Sequence, residues 1–254
     1  MKADNFELPL YLNRIGFVAK AGADIATVTQ MMRCQLFTVP FENLDVQAGK
    51  VVSLVPEDIV DKLVNRKRGG YCFEVNGLFA MALEALGIEY RFVAARPMLY
   101  QHRRPKTHMA IVLNLKGEEW LCDLGFGSYG IRAPMQMKRL EVEVKQDFDT
   151  FMLSKTNGNE YLLKARVDGE WANQFAFDLS PQEWIDFEPA NYFSSTHPDA
   201  LFVKKLLVVL HNSNGRNILF GDTLKTVKNG QSEKRIIARE DRTSILSSVF
   251  GLEL

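Results

Sequence analysis

The chain has 254 residues, 46% apolar and 24% charged, enough to bury a core as one large domain or two to three interlocked ones. Its 31 basic and 31 acidic residues cancel, and no long basic run is present, which argues against nucleic-acid or membrane-surface partners. The acidic start Met1–Glu7 does not read as a signal peptide, and no apolar run approaches the roughly 18 residues of a membrane span.

The first 87 residues read as helices. Tyr11–Gly16 is a short helix closed by glycine, and Asp24 caps a second from Ile25 to Leu36, with Pro40 beyond its end. Pro56-Glu57-Asp58 opens a third. A fourth starts near Cys72, runs through Leu78, Phe79, Leu83 and Leu86, and stops at Gly87. Strand patterns follow: 88–96, then Thr107–Leu115 and Trp120–Phe126 around a Lys116-Gly117 turn. Next come Phe148–Leu153, Tyr161–Val167 and Trp171–Phe177, with turns at Asn157-Gly158 and Asp168-Gly169. Pro181–Ile185 opens a helical turn, and Pro198–Leu210 reads as a helix. Arg216–Phe220, Thr223–Val227 and Lys234–Ala238 read as strands, and Asp241–Phe250 as a final helix. The expected fold class is α+β: a helical unit over 1–87, an antiparallel β-sheet or barrel over 88–190, and a C-terminal α/β lid over 191–254.

Three cysteines without a CxxC pair point to free thiols in a reducing cytoplasm, and four histidines are few for a structural metal site. Cys72 follows Gly69-Gly70 and opens a helix, where the free N–H groups and partial positive charge favour a thiolate. Such a nucleophile needs a base and an orienting acceptor. With a two-residue turn at Lys116-Gly117, Asp123 falls opposite Ala110, diagonal to His108 and on the same face. Diagonal neighbours lie ~7–8 Å apart, within reach of a His–carboxylate hydrogen bond. Cys34 and Cys122 read as packing thiols, and His102, His197 and His211 as surface or capping residues.

Four segments, Val39–Leu44 (VPFENL), Arg68–Asn76 (RGGYCFEVN), Thr107-His108 and Asp123–Gly127 (DLGFG), resemble the arylamine N-acetyltransferases in order and spacing. They cover roughly the first half of the chain; Gln35 departs from the histidine common at that position. The resemblance implies a cysteine-protease-like Cys72–His108–Asp123 site between the first two units. It implies ping-pong acetyl transfer from acetyl-CoA, through acetyl-Cys72, to arylamines and arylhydrazines, with N-hydroxyarylamines as a further acceptor class. It implies Phe41, Tyr71 and Phe126 around the acceptor and Lys106, Gly127 and Ser128 around CoA, with no metal. A transglutaminase-like or amidase-type thiol hydrolase would use the same Cys, His, Asp order. Arg68 and Glu42, charged residues in otherwise apolar motifs, are expected to form a buried ion pair joining the two loops.

Overall fold

The computed structural model describes residues 1–254 apart from Gln101, Ser128, Asn157 and Leu254. The N-terminal part comprises α1 (Leu8–Arg14), α2 (Ile25–Thr38), β1 (Phe41–Glu42), α3 (Leu44–Gln47), α4 (Pro56–Val60) with a π-helical turn over Asp61–Asn65, and α5 (Cys72–Ala85). The middle comprises β2 (Glu89–Pro97), β3 (His108–Leu115), β4 (Glu118–Cys122), β5 (Met135–Gln136), β6 (Val144–Gln146), β7 (Asp149–Lys155), β8 (Tyr161–Val167) and β9 (Glu170–Phe177). A 3-10 turn at Trp184–Phe187 leads into α6 (Glu188–Thr196), α7 (Leu201–Lys204), β10 (Leu207–Asn212), β11 (Gly215–Phe220), β12 (Thr223–Lys228), β13 (Gln231–Ile236) and α8 (Arg242–Phe250).

Local chemistry sets these boundaries. The Asp24 carboxylate accepts from Thr27 N at 2.8 Å and caps α2. Helix α5 is buried from Cys72 to Leu83, as a helix that is apolar all round should be. Glu74 closes its start by accepting from Tyr71 N at 3.0 Å, and left-handed Gly87 ends it. Strands β5-β4-β3-β2-β9-β8-β7-β6 form an eight-stranded antiparallel sheet, curled as a half-barrel, and α5 packs on its β2 and β3.

The second sheet, β1-β10-β11-β12-β13, is an antiparallel meander that takes its first strand from the N-terminal helical part. Residues 198–210, expected as a helix, are not one helix. Only Leu201–Lys204 makes a helical turn, and Leu207–Asn212 is a strand between β1 and β11. Its apolar run serves two cores. Leu207 and Val209 join the main core, while Leu206 and Val208 join a second, smaller one beneath α8 with Leu219, Leu224, Leu246 and Phe250. The expected turn at Asn157-Gly158 falls partly outside the described residues.

Candidate active site

Cys72 is the first residue of α5. Its loop is pressed against β1: Glu42 N donates to Gly70 O at 3.0 Å and Gly70 N to Pro40 O at 3.2 Å. A Cβ on Gly69 would sit 2.1 Å from Pro40 O, so only glycine permits this approach. The expected ion pair is present. Arg68 Nη2 meets Glu42 Oε1 at 2.7 Å, with Nε at 3.1 Å, and Glu42 is fully buried. Lys62 extends it to Asp45 (2.6 Å) and Glu74 (2.7 Å). Burial pushes the Glu74 carboxyl up to about 7, with Lys62 pulling against it.

His108 opens β3, and the hairpin register is the expected one: Ile111 pairs with Cys122 and Leu115 with Glu118, around left-handed Lys116 and Gly117. Asp123 follows the last paired residue of β4 and meets His108 Nε2 through Oδ2 at 2.8 Å; both side chains are buried. The Cys72 side chain donates to the carbonyl of Thr107, the residue before His108, at 3.9 Å, which keeps its sulfur beside the imidazole. Burial alone would push the imidazole down. The Asp123 carboxylate and the Cys72 sulfur outweigh it and hold His108 up at about 10. The ring packs against Phe126 and Phe175, with centroids 5.1 and 4.9 Å away.

One contributor lies outside the sequence-derived set. Asn76, one turn beyond Cys72 on α5, donates to Asp123 Oδ1 (3.1 Å) and Met109 O (2.8 Å) and accepts from Leu124 N (2.9 Å). Its spacing of four from Cys72 was the available signal, since it puts both on one helix face. Gly125 brings its backbone against Cys72: an added Cβ would lie 2.5 Å from the Cys72 Cα.

Cys72 and His108 line a cleft of about 420 Å³ whose walls are mostly apolar, including Phe41, Phe126, Phe193, Phe202, Leu207 and Phe220. That size suits a small-molecule site. Of the residues expected around ligands, Phe41, Phe126 and Gly127 line it. Tyr71 does not: its ring is fully buried, and its hydroxyl bonds Asn191 and, at 3.2 Å, Ser195. Lys106 is also outside the lining, its ammonium held by Asp178 at 2.6 Å. Ser128 lies outside the described residues. Gln35 is buried, accepting from Tyr11 OH and donating to Val75 O, both at 2.8 Å, so it braces α5.

His211, read from the sequence as a surface or capping residue, is instead a buried strand residue paired with Arg216. Burial and the nearby Arg132 and Arg216 push its imidazole well down, so it is neutral. Buried Cys122 is pushed above the ordinary thiol range, first by burial and then by Asp123. Among the described residues, no cluster of His, Cys, Asp or Glu is placed to hold a metal ion, and no helix is long and apolar enough to cross a membrane.

A family model described as N-acetyltransferase matches residues 24–254. The arylamine N-acetyltransferase of Mycolicibacterium smegmatis is 31% identical over 96% of this chain and 91% of its own. The solved structure of the Mycobacterium tuberculosis arylamine N-acetyltransferase superposes with a TM-score of 0.92 at 30% identity, over 97% of this chain and 93% of that one. The Mycobacterium marinum arylamine N-acetyltransferase, solved in complex with CoA, has a TM-score of 0.91 at 28% identity, over 96% and 92%.

Proposed function

Because the chain belongs to the arylamine N-acetyltransferases, a family of acyltransferases, we propose that Cys72 carries an acetyl group from acetyl-CoA to aromatic amines and hydrazines, with His108 and Asp123 completing a catalytic triad. The observation that carries the proposal is the buried His108–Asp123 pair, 2.8 Å long, beside a cysteine in the wall of an apolar cleft.

His108 takes the thiol proton, and the Cys72 sulfur attacks the thioester carbon. The N–H groups at the start of α5 that lack an intrahelical partner are the donors available to the developing oxyanion. As the C–S bond to CoA breaks, His108 returns the proton to the departing thiolate and leaves acetyl-Cys72. In the second half the amine nitrogen attacks that acetyl carbon. His108 removes the nitrogen's proton, and Cys72 departs as the leaving group. Asp123, fixed by Asn76 and Gly125 N, keeps the imidazole oriented and stabilises its cation in both halves. Phe41 and Phe126 offer apolar faces to the aryl ring and Gly127 a bare backbone to the donor, while N-hydroxyarylamines present the same ring with a hydroxyl as acceptor.

The test is CoA release from acetyl-CoA. Sustained release that requires an arylamine supports transfer. Equal sustained release without any amine would establish a thiol hydrolase instead.

A further inference from the structure

The cleft is apolar except for a few charged groups, and one of these has no assigned task. Besides His108, the charged side chains lining it are Arg104, Asp199 and Lys204. Lys204 and Asp199 neutralise one another at 2.6 Å. The Arg104 guanidinium has no ion-pair or hydrogen-bond partner among the described residues; it lies over the Tyr100 ring, 5.0 Å from its centroid. Its backbone is tethered, because Arg96 Nη1 donates to Arg104 O. Asp199 senses the charge: its carboxyl is held below the usual range first by the Lys204 hydrogen bond and last by Arg104.

A guanidinium laid on an aromatic face and fixed at its backbone is pre-organised, with its fork of donors unspent. Planar or tetrahedral oxyanions match that fork in two parallel hydrogen bonds, and the surrounding apolar wall strengthens each of them. We propose that Arg104 is an anion-recognition residue of the cleft, binding an oxyanion on one of the two substrates. This rests on the acetyl-transfer reading, which admits two sources for that group. One is a carboxylate on the acceptor's ring; the other is a phosphate of the CoA donor. Both require the same side chain, and the experiment separates them.

The test compares wild type with Arg104→Gln, which keeps hydrogen-bonding capacity and loses the charge and the fork, and with Arg104→Lys, which keeps the charge alone. Two ratios of kcat/KM are read. The first is 4-aminobenzoate over neutral 4-aminobenzamide, with one donor. The second is acetyl-CoA over p-nitrophenyl acetate, with one neutral amine. CoA is also titrated calorimetrically into each protein. If the acceptor supplies the anion, Arg104→Gln lowers the first ratio roughly tenfold or more, the size of a lost charge-assisted pair, and CoA affinity holds. If the donor supplies it, the second ratio and CoA affinity fall by a similar factor. In either case Arg104→Lys lies between the two. Both ratios and the CoA affinity staying within about twofold of wild type would overturn the inference, whatever happens to the absolute rates. A wild-type protein that acetylates no amine with either donor would instead overturn the proposed function.

Discussion

Replacing Arg68 by alanine tests how the loop before Cys72 is held. Arg68 gives two hydrogen bonds to Glu42 Oε1, while Oε2 is taken by Leu44 N at 2.6 Å. Glu42 is fully buried, and Arg68 keeps 16% of its side chain exposed, so little water can replace the lost donors. The substitution leaves Glu42, Asp45 and Glu74 with Lys62 as the remaining cation in contact with the group. Breaking a buried pair on one side costs about 3–5 kcal/mol. For a chain of this size each kcal/mol shifts melting by roughly 2–4 °C, giving an expected drop of about 6–20 °C. Differential scanning calorimetry measures it. The double variant E42Q/R68M removes both charges and should recover most of the loss. An Arg68→Ala protein that melts within about 2 °C of wild type refutes the reasoning.

Other perturbations address the site directly. Asp123→Asn removes the main force raising the imidazole, so burial dominates and lowers it; kcat/KM should fall by roughly 10²–10⁴, and a smaller loss contradicts the assigned role. Because folding raises His108 from an ordinary value near 6.5 to about 10, its stabilisation is full below pH 6.5 and is lost as pH rises through about 10. Denaturant titrations should show stability declining over that window, with the decline flattened in His108→Gln. Gly125→Ala would place a Cβ 2.5 Å from Cys72 Cα, so about 1–3 kcal/mol of stability and most of the acetylation rate should be lost. Full activity in that variant would show that the loop can yield. Iodoacetamide should label Cys72 in the native protein and spare Cys122, which is fully buried with its thiol pushed up. Peptide mapping reads the outcome.

The parts of the site governed by local rules were legible in the sequence. Glycine before and after α5 marked its limits, and the two-residue turn fixed the register that puts His108 and Asp123 on one face. Charges stranded in apolar motifs announced the Glu42–Arg68 pair. What failed depended on partners distant in sequence. The apolar run 206–210 reads equally as helix or buried strand. It is a strand because β1 and β11 flank it and a core lies on each side. Helix α6 escaped notice because its buried face is polar: Asn191, Ser194 and Ser195 point inward, with Asn191 and Ser195 bonding Tyr71 and the Val52 backbone. That same face keeps Tyr71 in the core and out of the cleft. Phe193, Phe202, Leu207 and Phe220, which complete the cleft, come from a region without a recognisable motif.

The central claim is that Cys72 is the acetyl carrier. Mass spectrometry of the protein mixed with acetyl-CoA and no amine tests it most directly. One acetyl group should appear, mapped to the peptide containing Cys72, absent in Cys72→Ala, and discharged when an arylamine is added with matching formation of the acetylated amine. Acetylamine formed at the wild-type rate by Cys72→Ala, or an acetyl group on another residue that the amine discharges, would contradict it.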